Sequence, residues 1–554
     1  MINYNQMKTV NHYFFLLFLL LESSLVHAQA NQIKNPILPG FNPDPCIVRV
    51  DKDYYIFTST FEWFPGIPVY HSRDLINWEQ IGHVLTRESQ LNMRGTDDSD
   101  GIFAPSITYH KGTYYLFFTN VQNGINWPLK GYPNYLVTAR DPRGPWSEPV
   151  LINTLGFDPY LFIDDNDRAY VVYRMFDHRP ESKLESPGIG MHALDLKTLK
   201  PLGKPELIYS GWDEKNPNTE GPKMLKKDGY YYLFTAEGGT GYNHNESVAR
   251  SKNISGPYER APKIFYTTKD NPSSEVQKSG HGTVFSTPDG EWYTTHLGSR
   301  PLTTKGNCPL GRESFIQKVR WNADGWPELD NKTGMPEMYV PAPAGVKSSS
   351  NSGMNTSFVD QFDTDKLNMR FQALRESWNP SWLSLNKRKG QLALKGRRAL
   401  GSRYDESLAA VRITSLQQTI ETAVEFEPSD FRHVAGLVCY YNTQHFYSLG
   451  LTSGDDGKRQ LVLAGADGGY QQLDLKTMTG NVKKVFMRAS VNAEKLQFYY
   501  STDGSQWNTI GNTLDFGKLS DDYARGFTGA MAGLFAQDIM YENTWAYFDY
   551  LKVK

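Results

Sequence analysis

Hydrophobic and polar positions alternate along this chain in short runs, and the runs return on a period near sixty residues. Aromatic-rich runs at Tyr54-Tyr55, Tyr114-Tyr115, Tyr170, Tyr230-Tyr231-Tyr232 and Trp292-Tyr293 each follow a short polar or proline-marked stop by about ten residues. Taken from Tyr54, Tyr114, Tyr170, Tyr231 and Tyr293, the spacings are 60, 56, 61 and 62. The residues in phase ahead of them, Asp44, Ala104, Asp158, Glu220 and His281, are spaced 60, 54, 62 and 61. Alternation with period two predicts strands. A repeat this long, with about four strands per unit, predicts radial blades that bury their faces only against neighbours. Five units predict a five-bladed β-propeller over residues 31–340. Equivalent positions of such an array point to one axis, so Asp44, Asp158, Glu220 and His281 should meet.

A second, more local repeat accompanies the first. Ser72-Arg73-Asp74-Leu75 leads to Trp78, Ala139-Arg140-Asp141 to Gly144-Pro145-Trp146, and Ala249-Arg250-Ser251 to Gly256-Pro257-Tyr258. A turn followed by an aromatic anchor is a structural device, and no chemistry is assigned to it. Pro341-Ala342-Pro343-Ala344-Gly345 and the Ser/Asn/Gly run over 348–353 read as a linker at 341–355. Residues 356–554 alternate again, for example over 419–426 and 496–500, without the long period. They predict a separate β-sandwich of about two hundred residues. The fold class is therefore all-β.

The first thirty residues differ from the rest. Lys8 precedes an apolar run over 13–21, and Val26-His27-Ala28-Gln29-Ala30 supplies small residues for cleavage after Ala28 or Ala30. This is the layout of a signal peptide, and the run is short for a membrane span. An exported protein, periplasmic or secreted, is expected, with no transmembrane segment once the leader is removed. Net charge is −2 with pI near 6.7, which makes no electrostatic case for nucleic acid or an anionic membrane. The three cysteines, Cys46, Cys308 and Cys439, have no metal-like or CxxC spacing.

Candidate chemistry rests on the acids. Asp44 stands between two prolines in Asn42-Pro43-Asp44-Pro45, and Asp158 has a proline directly after it. Proline fixes the backbone and withdraws a donor, which holds a carboxylate at a rigid strand entry; taken alone, Asn-Pro-Asp reads as an Asx turn. Glu220 sits in Thr219-Glu220-Gly221-Pro222, and Glu is a weaker turn former than Asp. Glu237, one strand later, either supports this site or turns the chain. The acids of Asp164-Asp165-Asn166-Asp167 belong to a hairpin turn and are expected to be solvated. His281 lies between two glycines, which allow close approach of backbone or ligand. Three carboxyls converging on one axis raise one another's proton affinity. Two of them acting as acid and base across a bond is the chemistry of glycoside hydrolysis. A calcium cage competes, but three carboxylates and a His make a poor oxygen shell.

Asn42-Pro43-Asp44-Pro45, Ser59-Thr60-Phe61-Glu62-Trp63-Phe64-Pro65-Gly66, Gly156-Phe157-Asp158, Thr219-Glu220-Gly221-Pro222, Gly280-His281-Gly282 and Pro309-Leu310-Gly311-Arg312-Glu313 carry a resemblance across the chain. The sequence resembles glycoside hydrolase family 43, in its exo-acting β-xylosidase and α-L-arabinofuranosidase members. The resemblance implies Asp44 as general base, Glu220 as general acid, and Asp158 as the residue that tunes and orients the acid. It implies inversion, with water between the two working carboxyls. Arg312, Phe61 and Phe103 match sugar contacts of the innermost subsite, and His281 joins them as a candidate contact of open role. The family requires no cofactor; a structural Ca²⁺ on the propeller axis is left open. The partner is an oligosaccharide, and oligomeric state is not legible.

Stretches such as Gly526-Phe527-Thr528-Gly529-Ala530 resemble the appended sandwich, which implies a concanavalin/laminin-G-like β-sandwich and in such relatives helps close the pocket. Cys46 departs from a common serine, and Phe103 from a common tryptophan. Segments 123–132 and 177–187 look individual and are expected to line outer subsites. Two rival readings bear on the same residues. Arg140-Asp141-Pro142 mimics a motif of fructan-cleaving enzymes, but no Glu-Cys pair occurs anywhere. A non-catalytic carbohydrate-binding protein would have no need of three converging acids.

Overall fold

The computed structural model describes residues 31–122, 131–177, 179, 186–213, 218–347, 353–478 and 482–554. The expected leader (1–30) lies outside the described residues, as do 123–130, 178 and 180–185 of the expected outer-subsite segments and 348–352 of the linker.

Among the described residues, five antiparallel sheets follow one another along the first part of the chain, each a four-stranded meander, with one short extra strand in the fourth. Every predicted aromatic run is the second strand of its sheet: Asp53–Phe57, Thr113–Val121, Ala169–Met175, Tyr230–Glu237 and Trp292–Ser299. The first strands, Cys46–Val50, Gly101–His110, Gly156–Ile163, Glu220–Lys227 and Gln277–Ser286, each touch the next, and the fifth touches the first. The sheets therefore stand around one axis as a propeller. Apolar side chains fill the gaps between neighbouring sheets. Phe57 packs with Phe118 and Trp146, Phe117 with Leu161 and Tyr173, and Tyr54 with Phe285 and Tyr293 across the closure. The ring is latched by the N-terminal segment: Asn35 exchanges two 2.9 Å hydrogen bonds with the backbone of Ile316, and Gln32–Lys34 pairs with Tyr339–Pro341.

The local repeat works as a tether. The Nε1 of Trp78 donates to the Leu75 carbonyl, the Nε1 of Trp146 to that of Pro142, and the Tyr258 hydroxyl to that of Ile254. One expectation fails in the hairpin between Gly156–Ile163 and Ala169–Met175. Asp164 is buried, not solvated, because its carboxylate accepts from the backbone of Asn166 and Arg168 and from the Arg168 guanidinium.

The second part folds as two sheets face to face. One runs Ser407–Arg412, Met531–Asp538, His433–Asn442, His445–Ser453, Arg459–Asp467 and Tyr470–Thr477; the other is built on Trp545–Val553, Gln417–Glu425 and Lys484–Asn492. The outer face of the first sheet is apolar where it meets the propeller. Trp63 stands edge-on to Tyr440 at 6.0 Å, and Ala373–Leu374 pairs with Trp63–Phe64. Buried ion pairs join the two parts at Lys278–Asp522 (2.5 Å) and Arg375–Asp98 (2.7 Å). All three cysteines are buried and free, and Cys46 fills space against Ile107, whose N–H points at its sulfur.

Candidate active site

The inner strands are not regular where they reach the axis. Register shifts fall between Phe103 and Ser106, Phe157 and Tyr160, Glu220 and Lys223, and Gly280 and Thr283. Each bulge places one residue at positive φ: Ala104 (33°), Asp158 (56°), Gly221 (60°) and His281 (56°), with Asp44 (55°) at the matching place in the first sheet. Bulges bend a strand and redirect a side chain. Proline follows four of these five residues, as Pro45, Pro105, Pro159 and Pro222, where the ladder is already broken and no donor is lost.

This register corrects one part of the phase read from sequence. Gly221, not Glu220, is the fourth member of the set containing Asp44, Ala104, Asp158 and His281. Glu220 occupies the position held by Phe103 and Phe157 in the preceding sheets, the last paired residue before the bulge. A side chain at Gly221 would meet the His281 ring at 2.6 Å, so glycine there lets His281 approach the axis. The carboxyl arrives from the neighbouring position instead.

Asp44, Asp158, Glu220, His281, Arg312, Phe61 and Phe103 all line one pocket of about 320 Å³. Every sequence-predicted site residue is thus brought together. Asp44 is buried, with Oδ1 accepting from Arg312 Nη1 (2.9 Å) and Oδ2 from the Ser59 hydroxyl (2.6 Å), while His281 Nδ1 lies 3.4 Å away. Ser59 in turn accepts from the Ala104 N–H at 2.7 Å. Burial alone would raise the Asp44 pKa, but Arg312, His281 and Ser59 outweigh it and hold the carboxyl well below the usual range. Asp158 goes the other way. Burial is the main cause, Glu220 and Asp44 add to it, and the nearby His281 and Lys223 charges do not offset it. Its Oδ2 accepts from the Gly221 N–H at 2.9 Å, which ties it to the strand carrying Glu220. His281 is raised above its ordinary pKa: burial opposes its charge, and contact with Asp44 and Asp158 prevails.

Glu220 is fixed by groups not assigned from sequence. Arg174 Nη1 donates to its Oε2 at 2.6 Å and to Asn218 at 2.9 Å, and the guanidinium lies over the Phe157 ring. Arg174 faces Phe157 across the ladder, a pairing visible only once the register is known. Glu237 proves to be a support, not a turn: its buried carboxylate accepts from Thr219, Thr235 and Ser247 and so anchors the residue beside Glu220. Phe527 is the other addition. It comes from the sandwich, its carbonyl accepts from Arg312 Nη2 at 3.0 Å, and its ring stacks at 6.1 Å on Phe61, which in turn lies 4.7 Å from Phe103. These three rings, from two parts of the chain, line the pocket together with Tyr132, Phe157 and Phe176.

Calcium takes about six to eight oxygen ligands. Among the described residues no group of three or more His, Cys, Asp or Glu gathers as a metal set. Both Asp44 oxygens and Oδ2 of Asp158 already accept from Arg312, Ser59 and Gly221.

Buried carboxyls tuned in opposite directions, in a pocket walled by rings, suit a sugar bond. The model of glycosyl hydrolases family 43 matches residues 33–327, and that of the "Beta xylosidase C-terminal Concanavalin A-like domain" matches 359–554. The chain belongs to glycosyl hydrolases family 43. Its relatives include a xylan 1,3-beta-xylosidase of Vibrio sp, 42% identical over 94% of this chain and 98% of that protein. A xylosidase/arabinosidase 43B of Humicola insolens is 40% identical over 94% and 97%. Among solved structures, a xylan beta-1,4-xylosidase from Bacillus halodurans C-125 superposes with a TM-score of 0.90 at 41% identity, covering 94% of this chain and all of that one. This family 43 hydrolase thus has the all-β, two-part architecture that its sequence pattern predicts.

Proposed function

We propose that this family 43 hydrolase removes terminal β-D-xylose from xylo-oligosaccharides, exo-acting and with inversion. The observation that carries the reading is the pairing of Asp44, held ionised, with Glu220 across one small pocket closed by Phe527 of the sandwich. A volume of about 320 Å³ sits at the low end of the roughly 300–1,000 Å³ typical of small-molecule sites, which suits one terminal sugar rather than a through-going chain.

In this mechanism Asp44 accepts a proton from water as that water attacks the anomeric carbon. Glu220 gives its proton to the departing oxygen on the other face, so the configuration inverts. Arg174 and the Thr219–Glu237 contact hold Glu220 in place. Asp158, pushed up by burial and by its neighbours, stands beside Glu220 and positions it through the Gly221 N–H. Arg312 serves twice, stabilising the Asp44 carboxylate and offering its planar donors to sugar hydroxyls. Phe61, Phe103 and Phe527 pack on the C–H face of the ring. His281 acts on Asp44 rather than on substrate.

The names of the Humicola insolens relative and of a non-reducing end alpha-L-arabinofuranosidase of Bacteroides ovatus, 32% identical, favour α-L-arabinofuranose as a second substrate. The apolar run over 13–21 and the small residues up to Ala30 support export. The test is hydrolysis of aryl β-D-xyloside and aryl α-L-arabinofuranoside side by side. A higher kcat/KM on the xyloside is expected, and turnover of neither would sink the proposal.

A further inference from the structure

In a two-layer sandwich the outward face of a sheet is normally polar. Here it is not. On Arg459–Asp467, the residues Leu461 and Leu463 face the sandwich core, while Val462, Ala464 and Ala466 point outward. Phe446 and Ser448 on the next strand, and Phe535 and Gln537 further along the sheet, point the same way. The propeller covers one end of this face through Trp63 and Phe61. The other end is open and forms a groove of about 670 Å³, twice the active-site pocket.

The shape and chemistry of the groove select its occupant. Its floor is cut low by Ala464, Ala466 and Ser448, and its rim carries Phe431, Tyr470 and Ile539, which are 60%, 66% and 50% exposed. A trough with raised aromatic edges accepts a slender chain better than the flat face of a globular partner. Four amides, Gln444, Gln460, Gln472 and Gln537, line it together with the hydroxyls of Ser448 and Thr452. Among the described residues no carboxylate lines it, and its one guanidinium, Arg432, is held in a two-bonded pair by Asp430. An uncharged groove with amide donors and aromatic faces matches a neutral polyhydroxylated chain. It offers nothing to an acidic or basic one.

We propose that this open face of the sandwich binds a neutral β-linked glycan strand, a second carbohydrate site on the same chain. The inference rests on the glycosidase reading, because it takes the ligand to be the polymer whose ends the pocket trims. The test compares the full chain with the double variant Phe431→Ala/Tyr470→Ala and with Gln472→Ala. Three readouts are taken: retardation in native gels containing soluble neutral xylan, kcat/KM on an aryl β-D-xyloside, and mass by light scattering. Retardation of the parent, weakened at least fivefold in the double variant with kcat/KM within twofold, is the expected result. Xyloside turnover without retardation, or retardation equal in parent and variants, overturns the second site and leaves the glycosidase reading standing. A fall in mass in the variants, with retardation unchanged, identifies the groove as a contact between copies and overturns it too. No turnover by the parent on any aryl glycoside refutes the glycosidase reading instead.

Discussion

Glu246 lies beneath the pocket, fully buried, with Oε2 accepting from the Gly282 N–H at 3.1 Å and Oε1 without a partner among the described residues. Burial pushes this carboxyl from an ordinary 4.5 up to about 8, although His281 and the Gly282 N–H pull it down. The folded state therefore keeps a proton that the unfolded chain releases near pH 4.5. Stability falls as pH rises through that window, by roughly 1.4 kcal/mol per unit, and stops falling near pH 8. Between pH 5 and pH 7 the loss amounts to about 2–3 kcal/mol. Glu246→Gln retains an acceptor for Gly282 and removes the titration. The variant should match the parent near pH 4 and exceed it by about 3 kcal/mol at pH 7. Chemical denaturation at the two pH values, followed by tryptophan fluorescence, measures the difference. A variant equally destabilised at both pH values would show that Glu246 is ionised in the native state, and the reasoning from burial would fail.

Phe527→Ala removes the wall contributed by the sandwich. KM for an aryl β-D-xyloside should rise about five- to tenfold with the circular dichroism spectrum unchanged, in line with the loss of roughly 1–1.5 kcal/mol of ring contact; an unchanged KM would place Phe527 outside the sugar site. Glu220→Ala should slow xylobiose cleavage by about 10²–10⁴, the usual worth of general acid catalysis, and slow an aryl xyloside with a good leaving group much less. Equal losses on both substrates would argue against Glu220 as the acid. Asp522→Asn removes the negative charge 2.5 Å from the buried Lys278, and breaking such a pair typically costs about 3–5 kcal/mol. A lower unfolding midpoint and faster proteolytic separation of sandwich from propeller are expected. Unaltered unfolding would mean that Asp521, 3.6 Å from Lys278, suffices alone.

The propeller was legible because its repeat is written in strand aromatics, which must recur wherever one sheet buries its face against the next. Asp44, Asp158 and His281 were legible for a related reason: the bulge that aims them carries its own marks, a proline after the two acids and glycines around the histidine. Glu220 was found although its assumed phase was off by one, because the glycine that occupies the bulge in its sheet stands directly after it. Arg174 was not legible. Nothing in its own segment marks it, and its role depends on facing Phe157 across a shifted ladder. The resemblance covers the stretch around Phe527 and a sandwich that helps close the pocket, but not Phe527 as the closing ring, since a wall supplied from more than two hundred residues beyond Arg312 is a matter of how two domains dock. The buried Asp164 shows the limit of reading turns by composition, because the same Asx geometry occurs in and out of water.

The stereochemistry of the first product tests the central claim most directly. Proton NMR of a β-xyloside digested by the full chain resolves the two anomers of xylose before they equilibrate. If Asp44 activates water while Glu220 protonates the leaving oxygen, the α-anomer accumulates first and the β-anomer grows in only by mutarotation. The β-anomer appearing first would mean that a carboxylate attacks the sugar itself, and the assignment of Asp44 as a base would be wrong.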